Sequence, residues 1–351
     1  MHHSFQKVSA LTLSGLAAMI YLALPLTAYG EGRVQFELVT EEGFELTGAR
    51  EWLSALEGLD LTGVRVRGAK AGDRPALERR GTEAAPTYHV IGVLTSGNKL
   101  RLPGGTFGIG DKAAIAGWIT KLKEGGEEGL TAKPAAFGLL PKQLVAVHEA
   151  LSPRVGFSTV SKEPLEVIEE IAGGLSIKVV TAAGVQKSLE TGEPVADELQ
   201  GLASGTALAA VVRPLGLVLL PEKVAGGGVQ VRIVDSRAAK ESWPVGWPPK
   251  KPPKDVLPDL FKFLNVEIAD TPLAEALEAI RGRLKVPLLL DHNSLARQKV
   301  DLKAIKSKYP KGNTFYGKIL DQILFQARLK YELRLDEADQ PFLWVTTIRQ
   351  S

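Results

Sequence analysis

Two blocks of the chain, one on each side of a proline-rich run, repeat the same hydrophobic pattern, and this repetition constrains the fold most strongly. In each block a proline, Pro164 or Pro272, opens a stretch in which apolar residues recur at helical spacing. Proline suits the first turn of a helix, and Thr271 is placed to cap the second copy. The matching apolar positions are Leu165, Ile168, Ile171 and Leu175 in the first copy and Leu273, Leu277, Ile280 and Leu284 in the second. We therefore predict two copies of one small module.

The remaining parts of the two blocks also correspond. Each first helix leads into a short apolar strand, and each block contains a second apolar helix near its end. In the second copy Tyr331, Leu333 and Leu335 alternate with charged residues, which predicts a half-buried strand that returns after a polar turn at residues 336–340. The first copy closes similarly at residues 229–234. Each copy is thus predicted as a strand, helix, strand, variable middle, helix and terminal hairpin.

This order resembles the short N-terminal domain of secretins and of TonB-dependent transducers. The resemblance rests on the Pro-Leu start of the helix, the short strand that ends at Asp291, and the Leu-Lys-Tyr-Glu-Leu run that begins at Leu329. It covers residues 264–348 closely and residues 155–234 less closely. In that family the module is a periplasmic protein-docking domain with no active site, so the resemblance implies docking.

Residues 241–254 separate the first module (residues 134–240) from the second module (residues 255–351). Their many prolines favour extended polyproline II geometry, which predicts a semi-rigid spacer. The run Pro249-Lys-Lys-Pro252 also fits a ligand of an aromatic-lined groove, but such motifs are short and frequent, and a plain linker is favoured. A second separator, rich in Gly and Glu at residues 123–133, is predicted to be a loop.

Residues 33–124, the N-terminal block, follow a different plan. The patterns predict a strand, a helix, a strand, a hairpin around residues 95–98 and a final helix capped by Asp111. This order resembles that of thioredoxin-like proteins, and the loop at residues 40–47 is similar to the redox loop of glutaredoxins. The predicted fold class is therefore α+β, with a thioredoxin-like N-terminal domain followed by two small repeated α+β modules.

The thioredoxin resemblance implies a peptide groove without redox chemistry. Two residues of this chain stand where the glutaredoxin loop holds its cysteines, so thiol exchange is impossible. Ala85-Pro86-Thr87 stands where the family carries a cis-proline, which implies a cis bond before Pro86 facing that loop. The implied groove residues are Phe44, Thr47, Pro86 and Thr87. The alternative is that Pro86 starts an edge strand in trans.

The first residues predict export. A weakly basic start is followed by an apolar run at residues 8–26 and by small residues up to Ala28, the order of a secretory signal with cleavage near Ala28. Pro25 disfavours the alternative, an uncleaved membrane anchor, because proline breaks a helix. We expect residues 1–28 to be removed, which leaves a soluble periplasmic or otherwise exported protein with no stable membrane anchor.

Composition excludes several kinds of chemistry. The chain has no cysteine, which excludes lipidation of an N-terminal cysteine, disulfides, thiolate catalysis and cysteine-ligated metals. The formal net charge is only +3, so no electrostatic footprint for nucleic acid is present.

Sequence motifs for catalysis or for cofactors are incomplete. The glycines at 105 and 110 begin like a phosphate loop, but Asp111 follows them and would repel phosphate. His148-Glu149 is similar to a zinc-protease helix, but Ser152 occupies the place of the second histidine. Ser204 is misplaced for a nucleophile elbow. We expect no catalytic residue, no cofactor and no metal.

We predict an exported, non-catalytic docking or scaffold protein of the cell envelope, whose partner is another envelope protein. The alternative is an enzyme that acts on envelope peptide or polymer. A deep pocket that gathers His148 with carboxylates would favour the enzyme. Exposed sheet edges and apolar patches without such a pocket would favour docking.

Overall fold

The computed structural model of the protein describes residues 32–82, 85–224 and 228–348. The predicted export signal, residues 1–28, lies outside the described residues. The described residues form a mixed α/β architecture with several small sheets, and their buried apolar side chains fall into three clusters. In the described part of the chain, no helix combines the length and apolar character needed to cross a bilayer.

The N-terminal block is a six-stranded sheet with two helices. Its elements are β1 (Arg33–Thr40), α1 (Leu46–Leu56), β2 (Gly63–Gly68), β3 (Ala76–Gly81), β4 (Pro86–Thr95), β5 (Lys99–Leu102), β6 (Gly105–Gly108) and α2 (Lys112–Thr131). The sheet order is β2-β1-β4-β5-β6, and β3 also pairs with β4. β1 lies parallel to both β2 and β4, whereas β3 and β5 are antiparallel to β4. The alternating residues Val34, Phe36 and Leu38 of β1 are buried, because alternate side chains of a strand point to the same face of the sheet.

The predicted cis bond at Pro86 is wrong. Among the described residues no peptide bond is cis, so the chain enters β4 through a trans Ala85–Pro86 bond. The change of direction before β4 instead involves Gly81, whose φ of 85° lies in the left-handed region that glycine adopts without strain. Gly81 and Pro86 are the last pair of the antiparallel β3–β4 ladder.

The prediction of a loop at residues 123–133 is also wrong. α2 continues to Thr131, and its helical geometry is interrupted only at Gly126, whose φ and ψ are 59° and −149°. The glycines that predicted a loop therefore provide a single break inside a helix.

The two modules share the topology of a three-stranded sheet. The first module contains α3 (Pro141–Ala150), α4 (Pro164–Gly173), β7 (Val179–Thr181), α5 (Gln186–Glu190), α6 (Ser204–Val212), β8 (Leu217–Lys223) and β9 (Val229–Asp235). The second contains α7 (Pro253–Val256), β10 (Phe263–Pro272), α8 (Leu273–Leu284), β11 (Leu288–Leu290), α9 (His292–Arg297), β12 (Lys306–Phe315), α10 (Tyr316–Gln326), β13 (Leu329–Leu335) and β14 (Pro341–Thr347). The sheets β7-β9-β8 and β11-β14-β13 correspond strand for strand, because in each the short strand lies parallel to the last strand of the hairpin.

The modules differ at their first strand. The second module has a two-stranded sheet, β10–β12, that is interrupted by two register shifts. In the first module the corresponding segments pair irregularly, through Val155 N–H to the Leu202 carbonyl at 2.9 Å and Ser161 N–H to the Val195 carbonyl at 2.8 Å. The predicted helix cap at Thr271 is wrong, because Pro272 takes the N-cap position of α8.

A side chain covers part of the free edge of β12. The amide of Gln326, at the end of α10, accepts from Lys308 N–H at 3.0 Å and donates to the Lys308 carbonyl at 2.8 Å. Both backbone groups of Lys308 therefore have partners, although within residues 32–82, 85–224 and 228–348 no further strand pairs with this edge of β12.

The proline-rich run is only partly a spacer. Trp243 and Val245 are each 4% exposed, and Trp243 N–H donates to the Leu219 carbonyl of β8 at 2.8 Å. Four residues later Trp247 exchanges two backbone hydrogen bonds of 2.8 Å with Leu335 of β13. The first half of the run thus connects the hairpins of the two modules, while residues 248–254 are largely exposed.

The two modules also share buried apolar residues. Leu289, Phe342 and Trp344 belong to the second module by sequence, but they pack into the cluster of the first module. The second module keeps its own cluster around α8 and α10. We refer to the contact between the two modules as the intermodule interface.

Candidate docking site

The structure does not bring the predicted groove residues together. The prediction concerned Phe44, Thr47, Pro86 and Thr87. Because β4 is parallel to β1, Thr87 lies opposite Arg33 at the start of β1, whereas Phe44 follows the end of β1. Seven strand steps of about 3.3 Å, roughly 23 Å in all, separate these two ends of the sheet. A groove would have required β4 to run antiparallel to β1, so this prediction is corrected.

A partly open aromatic cleft lies elsewhere, at one side of the first module. It forms where a 3-10 turn, Ala136–Gly138, and α3 meet residues 241–247 of the proline-rich run, and its volume is about 450 Å³. We call it the aromatic cleft. The side chains that define it are Phe137, Leu144, His148, Glu241, Trp243 and Trp247.

The rings of the aromatic cleft lie against one another. Trp243 and Trp247 pack edge to face, with centroids 5.0 Å apart and planes at 87°. The His148 and Trp247 centroids are 5.1 Å apart, the Phe137 and Trp243 centroids are 6.0 Å apart, and the planes of both pairs are tilted. The four rings therefore form one aromatic cluster.

Trp243 is the fixed base of the aromatic cleft. Its indole is almost completely buried, and Nε1 donates to Glu337 Oε1 at 2.6 Å. Trp247 and Phe137 are only partly buried. The cleft therefore combines an immobilised ring with two rings that reach solvent.

Phe137 holds a backbone conformation that a bulky residue rarely adopts. Its φ is 61°, in the left-handed region, which costs ~1–3 kcal/mol. Phe137 N–H donates to the Glu241 carboxylate at 2.6 Å, and this bond joins the two chain segments that form the cleft. The left-handed turn turns the Phe137 ring toward Trp243.

The base of the cleft depends on a buried carboxylate at the intermodule interface. Glu337 lies at the tip of the β13–β14 hairpin and accepts at Oε2 from Thr206 N–H (3.0 Å) and from the Thr206 hydroxyl (2.8 Å). Burial raises the pKa of Glu337 to about 7, although hydrogen bonds from Trp243 and Thr206 act in the opposite direction. Gly205 makes this approach possible, since a Cβ there would overlap the Glu337 carboxylate.

The neighbouring Asp336 completes this contact. Its Oδ2 accepts from Ala203 N–H, the N-cap position of α6, at 2.8 Å. Two acidic residues of the second module therefore cap a helix of the first module, where the helix dipole favours negative charge. Residues 336–340 form the predicted polar turn between the hairpin strands, but the burial of its two acids at an interface was missed.

An ion pair between a buried aspartate and a partly exposed arginine lies at the same interface. Asp291 is 3% exposed and receives two bonds from the Arg213 guanidinium, at 3.0 and 3.1 Å. Burial alone would raise the pKa of Asp291, but hydrogen bonds from Arg213 and Thr346 outweigh burial and hold that pKa below its ordinary value. Arg213 also lies over the Trp344 ring, 5.8 Å from its centroid.

A pair formed by a histidine and an aspartate lies beside this ion pair. His292 Nε2 is 3.0 Å from Asp197 Oδ2. The hydrogen bond to Asp197 raises the pKa of His292, against the effect of burial. The pKa values of Glu337, Asp291 and His292, which all lie at the intermodule interface, are therefore shifted from their ordinary values.

The titratable and hydroxyl side chains of the incomplete sequence motifs have the following surroundings. His148 shares the cleft with Glu241, the one carboxylate in its lining among the described residues, and Glu241 is exposed and bonded to Phe137 N–H. Among the described residues no three His, Asp or Glu side chains are placed to hold a metal ion. Ser204 Oγ donates to the Pro153 carbonyl at 2.7 Å, and Asp111 accepts from Gly108 N–H at 2.7 Å, so each has a local structural partner.

Sequence reasoning missed the aromatic cleft, although one signal for it was present. The chain has five tryptophans, and two of them, Trp243 and Trp247, lie within the supposed spacer. A semi-rigid spacer has no need for large apolar rings, so this pair indicated a packed segment.

Comparisons with protein-family models, with curated proteins and with solved structures find no match to this chain. Function must therefore be argued from the geometry of the site. That geometry is a partly open cleft of three aromatic rings and an imidazole, held beside a buried interface between two modules of like topology.

Proposed function

We propose that the protein is an exported docking or scaffold protein of the cell envelope, whose aromatic cleft binds an extended, proline-containing segment of a protein partner. The observation that carries this proposal is the cluster of Phe137, His148, Trp243 and Trp247 around a partly open cleft. The resemblance of both modules to the short domains of secretins and TonB-dependent transducers belongs to the same proposal, and their common element order supports it.

Ligand chemistry follows from the cleft lining. Proline-rich segments are already extended in solution, so they lose little conformational entropy when they dock between aromatic rings. Trp247 and Phe137 offer partly exposed rings for such contacts, while Trp243 closes the base. Glu241 adds one exposed carboxylate, which suits a ligand that also carries a positive charge.

The N-terminal block contributes no peptide groove to this proposal. Its likeness to thioredoxin-like proteins remains an interpretation of element order, and β4 runs parallel to β1. We assign the block a supporting role beside the two modules.

A binding titration tests the proposal. A fluorescein-labelled oligoproline that contains two lysines is titrated with the mature protein, and fluorescence anisotropy is measured. Trp247→Ala should weaken binding at least tenfold, about 1.4 kcal/mol, because tryptophan side chains dominate such contacts. The backbone bridge of Trp247 to Leu335 does not need the indole, so circular dichroism should be unchanged.

Phe325→Ala is the matched control, because Phe325 is a 71% exposed aromatic residue on α10 of the second module. It should leave the affinity unchanged. Absence of peptide binding by the wild-type protein, or equal binding by the Trp247 variant, would refute the assignment of the cleft.

A further inference from the structure

We infer that the occupant of the aromatic cleft is residues 248–252 of a second copy of this chain, so that two copies dock reciprocally. This inference rests on the proposed function, because it names the partner of the same cleft.

The segment has the chemistry that the cleft requires. Residues 248–252 read Pro-Pro-Lys-Lys-Pro. The last of them, Pro252, has φ −56° and ψ 144°, which is polyproline II geometry, and Pro253 begins α7. Pro248, Lys250 and Lys251 are exposed, and the backbone bends at the two lysines. A segment of prolines and lysines is therefore displayed on the surface of the molecule.

The segment cannot occupy the cleft of its own chain. At one end Trp247 is fixed by two backbone bonds to Leu335, and at the other the helix α7 begins at Pro253. Leu257, which follows α7, is buried in the cluster of the second module. Only residues 248–252 run between these anchors, and three of the five are prolines with fixed φ, so the segment cannot reverse onto Trp247. The occupant must come from another molecule.

Charge complementarity favours the same pairing. Glu241 lines the cleft and is exposed, and Phe137 N–H donates to its Oε2. The segment brings Lys250 and Lys251 between prolines, which places positive charge beside this carboxylate while the prolines contact the rings.

The position of the segment makes the contact reciprocal. It begins at the residue after Trp247, so cleft and segment are neighbours on the surface of each copy. When one copy places its segment in the cleft of a second copy, the segment of the second copy lies beside the cleft of the first. Such an arrangement is a closed two-fold dimer with two equivalent contacts, and two contacts together bind more tightly than one.

Sedimentation velocity over a range of concentrations tests this inference on the mature protein. We expect a concentration-dependent dimer. Trp247→Ala, which damages the cleft, and the double variant Lys250→Glu/Lys251→Glu, which damages the segment, should each raise the dimer dissociation constant at least tenfold. Lys306→Glu/Lys311→Glu is the control, because it makes the same charge change at two exposed lysines of β12 and should dimerise like the wild type.

Mixing the two damaged variants sharpens the test. The mixture retains one intact contact, between the segment of the Trp247 variant and the cleft of the lysine variant, so heterodimers should form where neither variant dimerises alone. A dimer that survives both sets of substitutions would overturn the inference, and so would a wild-type protein that stays monomeric at every concentration.

The outcome also separates this inference from the proposed function. If the oligoproline probe binds the cleft but the chain stays monomeric, the cleft is a docking site for a different partner, and only the self-docking inference fails. If neither the probe nor a second copy binds, both fail.

Discussion

The intermodule interface and the junction between the N-terminal block and the first module are built differently. At the interface, apolar residues of the second module enter the core of the first, and the carboxylates of Glu337 and Asp291 are buried and hydrogen-bonded. At the junction, the described contacts include the Lys223–Glu124 pair at 3.4 Å, in which both side chains are about one-third exposed. The N-terminal cluster is composed entirely of residues from its own block.

This difference indicates which parts of the molecule unfold together. Separation of the two modules would expose their shared apolar core to water, so the pair of modules, which we call the tandem, should unfold as one unit. The junction contains this surface ion pair and a small contact in which Leu140 lies against Gly125 and Gly129 of α2. Such a junction stabilises less than a shared core, so the N-terminal block should unfold independently. The aromatic cleft is built on the tandem and should follow its stability.

The largest effect is expected from Gly205→Ala. The added Cβ would overlap the Glu337 carboxylate and approach Leu151, which separates Glu337 from Thr206 and Trp243. Overpacking together with lost bonds to a carboxylate should lower the free energy of unfolding of the tandem by about 3 kcal/mol. Urea unfolding followed by tryptophan fluorescence measures this loss.

Gly282→Ala is the control for that substitution. Gly282 lies in α8 with open space around its Cβ direction, so alanine there should be neutral or stabilising by ~0.5–1 kcal/mol. Equal stability of the Gly205 variant and the wild type would mean that the close approach of Glu337 is unimportant.

The second effect is a dependence of tandem stability on pH. The pKa of Glu337 is about 7 in the folded protein and lies near 4.5 when the chain is unfolded, so the folded state binds the extra proton. The contribution of Glu337 to the free energy of unfolding is fully present below pH 4.5 and is lost as the pH rises through 7. This loss is on the order of 3 kcal/mol. His292, whose pKa is also raised, acts in the same direction.

The N-terminal block should respond differently to pH. The Arg67 guanidinium lowers the pKa of Asp73 to about 2. The stabilisation that the ionised Asp73 provides is therefore present above pH 3.8 and is lost only as the pH falls through 2. Between pH 5 and 8 the tandem should therefore lose stability while Asp73 leaves the block unaffected. Glu337→Gln should flatten the tandem profile, and an unchanged slope in this variant would assign the effect to other groups.

The third effect is smaller and concerns Arg213→Ala. Removal of the guanidinium leaves the buried Asp291 with only Thr346 and Ser294 as partners, and this should cost about 2 kcal/mol. Arg237→Ala is the control, because its pair with Asp235 is largely exposed and is expected to contribute little. A double variant with Asp291→Asn should recover part of the loss in urea unfolding, since the buried charge is then absent.

The smallest effect is expected at the junction. Lys223→Ala should change stability by less than ~0.5 kcal/mol, and calorimetry should resolve separate transitions for the N-terminal block and the tandem. A single transition, or one that shifts as a whole in this variant, would show that the junction is as cooperative as the interface.

Much of the secondary structure was predictable because it depends on local periodicity. The apolar positions after Pro164 and Pro272 correspond to α4 and α8, and the alternation at residues 331–335 corresponds to β13. β3 was missed because its Glu and Arg residues hide the apolar alternation of a strand. The direction of β4 depends on the path of the chain through β3, which no local pattern specifies.

The candidate site was less predictable for a related reason. A polar hairpin tip such as Asp336-Glu337 has the same sequence whether it faces water or caps a helix of a neighbouring module. The outcome depends on how the modules pack, and the cleft follows from that packing. Trp243 and Trp247 were visible in the sequence, but their proline neighbours favoured the interpretation as a spacer.

The amide of Gln326 has a consequence for aggregation. A sheet of only two strands exposes backbone groups that can recruit strands from other molecules and grow into fibrils. Gln326 occupies the positions at Lys308 that an invading strand would need, and Pro310 has no N–H to offer. The register shift between Val266 and Ile268 places a bulge near this proline, which further interrupts a regular edge. At high concentration the protein should therefore resist amyloid-like growth from this edge.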